Sequence, residues 1–147
     1  MKLLEGRTVT EVVKASFTAA EVGDIADGDV LVSVAVPRNT LVLQTFVIAD
    51  DLDSNGSPTL ELDVGHSGYT DTDGDVVAAS DDALGASLDI SETGGQNVDT
   101  TILLVGDSEG TDGGGTVLRV KAEGTAATGA AGDIRIGYVG VAIPAGS

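Results

Sequence analysis

Val30-Leu31-Val32-Ser33-Val34-Ala35-Val36, then Pro37-Arg38-Asn39-Thr40, then Leu41-Val42-Leu43-Gln44-Thr45-Phe46-Val47-Ile48-Ala49 is the stretch on which the fold reading turns. Side chains alternate across a strand, so Val30, Val32, Val34 and Val36 share one face and Leu31, Ser33 and Ala35 the other. Pro37 cannot donate to a ladder and ends the first run. In the second run Leu41, Leu43, Thr45, Val47 and Ala49 oppose Val42, Gln44, Phe46 and Ile48. Both faces are largely apolar, which predicts a central, well-covered strand.

Working outward, the same signal recurs about every ten to fifteen residues, the spacing of an all-β sandwich or barrel. Strands are expected over Thr8–Phe17, Thr59–Val64, Thr100–Val105, Thr116–Ala122 and Ile134–Val141, with short pieces at Val76–Ala79 and Leu88–Ile90. Ala19–Val22 reads as a short turn and Gly23–Asp29 as an acidic loop. Asp50–Pro58 reads as a polar turn, and Gly65–Asp75 and Ser91–Asp99 as loops. Asp81 is placed as the N-cap of one helical turn, Asp81–Leu84. Gly106–Gly115, with five glycines in ten residues, reads as a hairpin tip. The expectation is one all-β domain over residues 8–143: a two-sheet antiparallel sandwich, jelly-roll-like, of eight to nine strands. An N-terminal arm (residues 1–7) and a tail (144–147) flank it.

The chain has 147 residues, a length that favours one domain and hides about 68–70% of the unfolded surface. Leu, Ile, Val and Phe make up 41 of them, well above the disorder range. The net charge of −17 argues against nucleic-acid phosphates and against anionic membranes as partners. It also strains the compact state by self-repulsion, as in halophilic proteins, which reads either as a salty or marine setting or as a highly charged solvent face in ordinary salt. No run of apolar residues matches a secretory signal or a membrane span, so synthesis and folding in a cytoplasm, or delivery by something other than a standard signal, is expected. With no Cys and no Trp, and with two Tyr and two Phe, the core is small in its side chains. Such a core points to support from oligomer contacts or a scaffold.

Chemistry has few candidates. His66 is the only imidazole and is expected to be a loop histidine at a strand end. Nothing in its spacing from Asp71 supports a triad, and the composition argues against an enzyme. No cofactor is expected, with calcium as the alternative. Asp51-Leu52-Asp53-Ser54-Asn55-Gly56 opens like a calcium loop, but its twelfth position is Leu62, where a bidentate carboxylate is needed. Asp71, Asp73 and Asp75 place three carboxylates in five residues, whose repulsion a cation would relieve. The competing reading of both is a turn, since Asp, Asn and Gly are turn residues. Arg119 and Lys121 share one strand face, near Arg135 if the last two strands pair. They read either as a docking patch or as charges balancing acidic neighbours. Leu3 and Leu4 either dock on a partner by strand addition or fold back on the sandwich.

Several stretches resemble small β-sandwich structural proteins of tailed-virus particles: Val34–Thr40, Val47–Asp53, Thr59–Gly65, Thr100–Val105 and Thr128–Ile136. That group includes capsid decoration (cement) proteins and related head or fibre components of phages and archaeal tailed viruses. The resemblance covers roughly Val30–Val139 and has no catalytic signature. It implies a jelly-roll-like fold, a homo-oligomer with a trimer favoured, attachment to the major capsid protein lattice and a place on the capsid surface. The alternatives are a turret, fibre or tail subunit, or a calcium-dependent glycan-binding module, for which two tyrosines make a poor aromatic platform.

Overall fold

The computed structural model describes residues 7–106 and 115–143. Their order is β1 (Arg7–Phe17), α1 (Ala19–Gly23), β2 (Val30–Val36), β3 (Thr40–Ala49), β4 (Glu61–His66), β5 (Tyr69–Thr70), β6 (Val76–Val77), β7 (Ser80–Leu88), α2 (Ile90–Thr93), β8 (Gly95–Asp99), β9 (Leu103–Val105), β10 (Thr116–Glu123) and β11 (Gly132–Ala142). Leu3, Leu4 and the tail lie outside the described residues, as do residues 107–114 of the expected hairpin tip. Arg7, assigned to the arm, already belongs to β1.

The strands form two antiparallel sheets. One runs β1-β11-β3 and then β8, with β9 also on β3, and the other runs β2-β10-β4-β7. Counting β8 and β9 as one broken strand and setting aside the β5–β6 hairpin leaves eight framework strands. The first pairs with the last, the second with the seventh, the third with the sixth and the fourth with the fifth. This nesting is a jelly roll of two four-column sheets.

Alternation decides what goes inside. In β10, Thr116, Leu118, Val120 and Ala122 are buried while Val117, Arg119 and Lys121 face out. In β11, Ile134, Ile136 and Tyr138 are fully buried. They meet Val32, Val34, Val36, Leu62 and Val64 of the facing sheet in one core. Burying each such side chain contributes about 1.5–3 kcal/mol before entropy is counted.

β3 is central, as expected, but its two faces are not equally covered. Its buried positions are Thr40 and Val42, then Thr45, Val47 and Ala49. The parity switches because Leu43 has no partner on β11, where Val139 pairs Gln44 and the next residue, Gly140, pairs Val42. Leu43 is the extra residue of a β-bulge, and it and Gln44 both face out. The bulge also breaks the ladder on the other side. β8 pairs Thr45–Ala49 and β9 pairs Thr40–Val42, leaving a gap between them. The strand expected over Thr100–Val105 is therefore only Leu103–Val105. Ser91–Asp99, expected as a loop, contains β8, and the short strand expected over Leu88–Ile90 is replaced by the end of β7 and the start of α2.

The region between β4 and α2 departs most from the sequence reading. Asp81–Leu84 is strand rather than a helical turn, because Ser80–Leu88 pairs with β4 through two register shifts. Gly65 and His66 belong to β4 and not to a loop, and Tyr69–Thr70 pairs Val76–Val77. Ala19–Gly23 is a helical turn, held by a capping box in which Thr18 and Glu21 bond each other's backbone N–H.

Candidate functional site

The loop between β3 and β4 is built around one carboxylate. Asp53 is buried, and its Oδ2 accepts from the backbone N–H groups of Thr59 (2.8 Å), Leu60 (3.2 Å) and Ala127 (2.9 Å). Its Oδ1 accepts from Thr128 (2.9 Å) and Asn55 (3.4 Å). Two loops far apart in sequence thus close on one negative charge. Leu52 and Leu60, fully buried, pack beneath, and Ser91 of α2 ties the layer down through Oγ to Leu60 O at 2.8 Å. Within the expected polar turn, whose residues 54–57 stay exposed, Leu52 and Asp53 form a packed plug at one end of the sandwich. Its D-x-D-x-N-G spacing aims Asp53 at amides.

Burial works to raise the Asp53 carboxyl, but the N–H groups of Thr59, Ala127, Thr128 and Leu60 outweigh it and hold it at about 2, against an ordinary 3.8. Folding therefore favours the ionised form. The stabilisation is complete above the unfolded value of 3.8 and is lost as pH falls through about 2. The shift corresponds to about 2 kcal/mol. An acid titration followed by circular dichroism should lose that much stability between these values, and an Asp53→Asn chain should lose much less over the same interval.

Asp71, Asp73 and Asp75 cap the β5–β6 hairpin. Asp71 Oδ1 accepts from the backbone N–H of both Asp73 and Asp75, each at 2.9 Å, so this carboxylate closes the turn. Among the described residues, no three His, Cys, Asp or Glu side chains gather in a geometry that could hold a metal ion. The hairpin leans on β9 through a bond from Gly106 N to Thr70 O at 2.8 Å. His66 is the last residue of β4 and is buried, where a loop position was expected. Its Nδ1 accepts from Gly68 N at 3.1 Å, and its ring meets Tyr69 edge-on at 5.3 Å. Burial first, and Arg119 second, push its pKa below the usual value.

Arg119 and Lys121 do share a face, as expected, but both grip Asp81, at 3.0 and 2.9 Å. Gly65 makes this possible. Any Cβ there would run into the backbone of Ser80 and Asp81, so its absence lets β7 lie against the outer side of the sheet. Lys121 and Arg119 hold the Asp81 carboxyl below its usual range. Around them stand Glu61, Asp63, Asp82 and Glu123. Burial pushes Asp63 up, against the Ser87 N–H bond, and Glu123 adds to the rise. Arg135 is elsewhere. β10 pairs β2 and β4, whereas β11 pairs β1 and β3, so Arg135 projects from the opposite face of the sandwich. It faces Asp133 at 3.7 Å and stands in register with Lys14 and Ile48.

That opposite face, the outer side of the five-stranded sheet, is apolar in its middle. Val12, Gly137, Phe46 and Val98 form one row across β1, β11, β3 and β8. Leu41 and Leu104 lie in a second row, and Leu43 and Ile48 are exposed. The phenyl ring of Phe46 lies over Gly137, where a Cβ would strike it. The sequence reading missed this face. Its signal is the second apolar set in Leu41–Ala49, which predicts a well-covered strand.

Comparison with known proteins places the fold. No family model matches the chain, and no curated protein matches it. Solved structures do match. A chain in the capsid asymmetric unit of cyanophage Pam1 superposes with a TM-score of 0.67 at 22% identity, over 93% of this chain and 86% of its own. The fold is shared with a phage-capsid chain. A second, in the capsid of Ralstonia phage GP4, gives a TM-score of 0.65 at 22% identity, over 99% of this chain and 90% of its own. Both capsid chains are matched nearly end to end, so each is close to this chain in length.

Proposed function

We propose that this chain is a virion structural protein, and specifically a capsid decoration protein. It binds the outer face of a major capsid protein lattice and adds contacts between neighbouring subunits. The observation that carries the reading is the near end-to-end match with two chains of phage capsids, each close to it in length. A jelly roll held by a buried amide–carboxylate plug is a rigid block suited to bridging. Each contact contributes modestly, and the lattice multiplies the effect. The same reading places the protein on the capsid surface, after synthesis in the host cytoplasm.

The experiment is re-addition of the purified protein to shells of its virus that lack it, followed by sedimentation. Saturable co-sedimentation with the shells, and a higher temperature of shell disruption, are expected. Binding to tails or fibres with none to shells would assign it to another part of the particle. Light scattering of the free protein reads the oligomer, for which the decoration reading favours a trimer.

The charge of −17 belongs to the same proposal, as an adaptation to a salt-loving host. Screening shortens the reach of like-charge repulsion from about 30 Å at 0.01 M to about 3 Å at 1 M salt. The melting temperature should therefore rise across that range. A flat profile would remove the salt-loving setting and leave the fold reading untouched.

A further inference from the structure

The two outer faces of the sandwich are chemically opposite. On the four-stranded sheet the outer side carries Glu61, Asp63, Glu123, Asp81 and Asp82, against Arg119 and Lys121, which are already engaged by Asp81. On the five-stranded sheet the outward strand positions carry Lys14 and Arg135, and the only carboxylate among them is Asp133. Among the described residues, the outward strand positions of this face thus carry little acid in a chain of net charge −17. The same face holds Val12, Val98, Leu43 and Ile48 exposed, with Phe46 fixed over Gly137.

We propose that the outer face of the five-stranded sheet is the surface by which this protein seats on the shell, against a protein surface of apolar side chains edged by carboxylates. The inference rests on the decoration reading and adds the face and the chemistry of the partner. Four strand columns and eleven-residue strands give a footprint of about 15 by 35 Å. With side-chain relief, that approaches the roughly 800 Å² each partner gives to a standard interface. A ring held in place by the glycine beneath it and an arginine at the edge are the anchor types that dominate such contacts. Lys14 and Arg135 supply the charge that the partner's carboxylates complement.

Other occupants fit less well. Nucleic acid and anionic lipid are repelled by the net charge. A second copy stacked face to face brings another −17 and, among the described outward strand positions, offers Lys14 only Asp133, which already faces Arg135. The acidic face of a second copy would bury several carboxylates against Phe46 and Val98, at high desolvation cost. With the cationic, apolar side on the shell, the acidic side is left to water, where charge keeps particles apart.

The test uses the full-length protein, shells that lack it and three variants, each checked by thermal melting. Val12→Glu with Val98→Glu places two carboxylates on the apolar row, at positions about half exposed in the free protein. Lys14→Glu alters the same face at a single exposed side chain, so a folding failure of the double variant leaves the inference testable. Ser33→Glu with Ala35→Glu adds charge to exposed positions of the opposite face. The expected result is that both changes on the five-stranded sheet weaken shell binding at least about tenfold, while the change on the opposite face leaves it within about threefold. Equal binding by wild type and the first two variants overturns the inference and leaves the decoration reading standing. Loss of binding by the Ser33/Ala35 variant alone also overturns it. A wild-type oligomer that falls to monomer with Val12→Glu and Val98→Glu makes the face a self-interface and overturns it. No shell binding by wild type overturns the decoration reading and this inference with it.

Discussion

Asp53→Ala is expected to lower the melting temperature by about 10 °C. The change strips one acceptor group from the backbone N–H groups of Thr59, Leu60, Ala127 and Thr128 at once. A hydrogen bond to a charged acceptor contributes about 1.5–3 kcal/mol, and a buried donor left without a partner costs its full desolvation. These costs are not additive, because the two loops can part and admit water. We therefore expect about 4 kcal/mol, where each kcal/mol moves the melting point by about 2–4 °C at this chain length. Asp53→Asn keeps one oxygen but turns an NH₂ group toward the remaining donors, so it should fall between alanine and wild type. The measurement is thermal denaturation at neutral pH. A shift of less than about 2 °C for alanine would mean that water replaces the carboxylate at little cost.

Gly65→Ala is expected to cost about 3 kcal/mol, at the upper end of what one added methyl exacts in a packed site. The new Cβ meets the carbonyl oxygen of Ser80 and the backbone of Asp81, which cannot swing away as a side-chain tip would. β7 must lift off the outer side of β4, and Asp81 then leaves Arg119 and Lys121. The shared Asp81 carboxylate is half exposed, so the ion pairs themselves contribute little. The loss comes from the ladder between β4 and β7. Amide hydrogen exchange should show faster exchange over Ser80–Leu88 while β1 and β11 stay protected. Unchanged exchange in β7 would mean that the strand adapts to a side chain at this position.

Much of the architecture was legible where both faces of a strand differ in polarity. Thr116–Ala122 and Ile134–Val141 alternate cleanly, and a strand stands at each. β3 was legible as central, but the bulge at Leu43 was not, because an extra residue in an apolar run leaves no mark in composition. β7 and β8 were missed for a different reason. Asp81, Asp82, Asn97 and Asp99 are poor strand formers, and pairing with an existing neighbour overrides that weak preference. The candidate sites were half legible. Asp53 stood out by its spacing, yet two of the amides it serves lie more than seventy residues away, at Ala127 and Thr128. The separation of Arg135 from Arg119 could not be read from one strand at a time, since it depends on which sheet receives the last strand.

The nested pairing has a consequence for how the molecule is made. β1 is made before the other described strands, but among them its ladder partner is β11, made after all the rest. At about 5–20 residues per second, the first strand waits on the order of ten seconds with its edge open. High contact order of this kind makes folding slow and leaves unpaired edges exposed to neighbouring chains. The same negative charge that strains the finished fold then acts as a chaperone of its own, holding nascent copies apart until the final strand arrives and closes the roll.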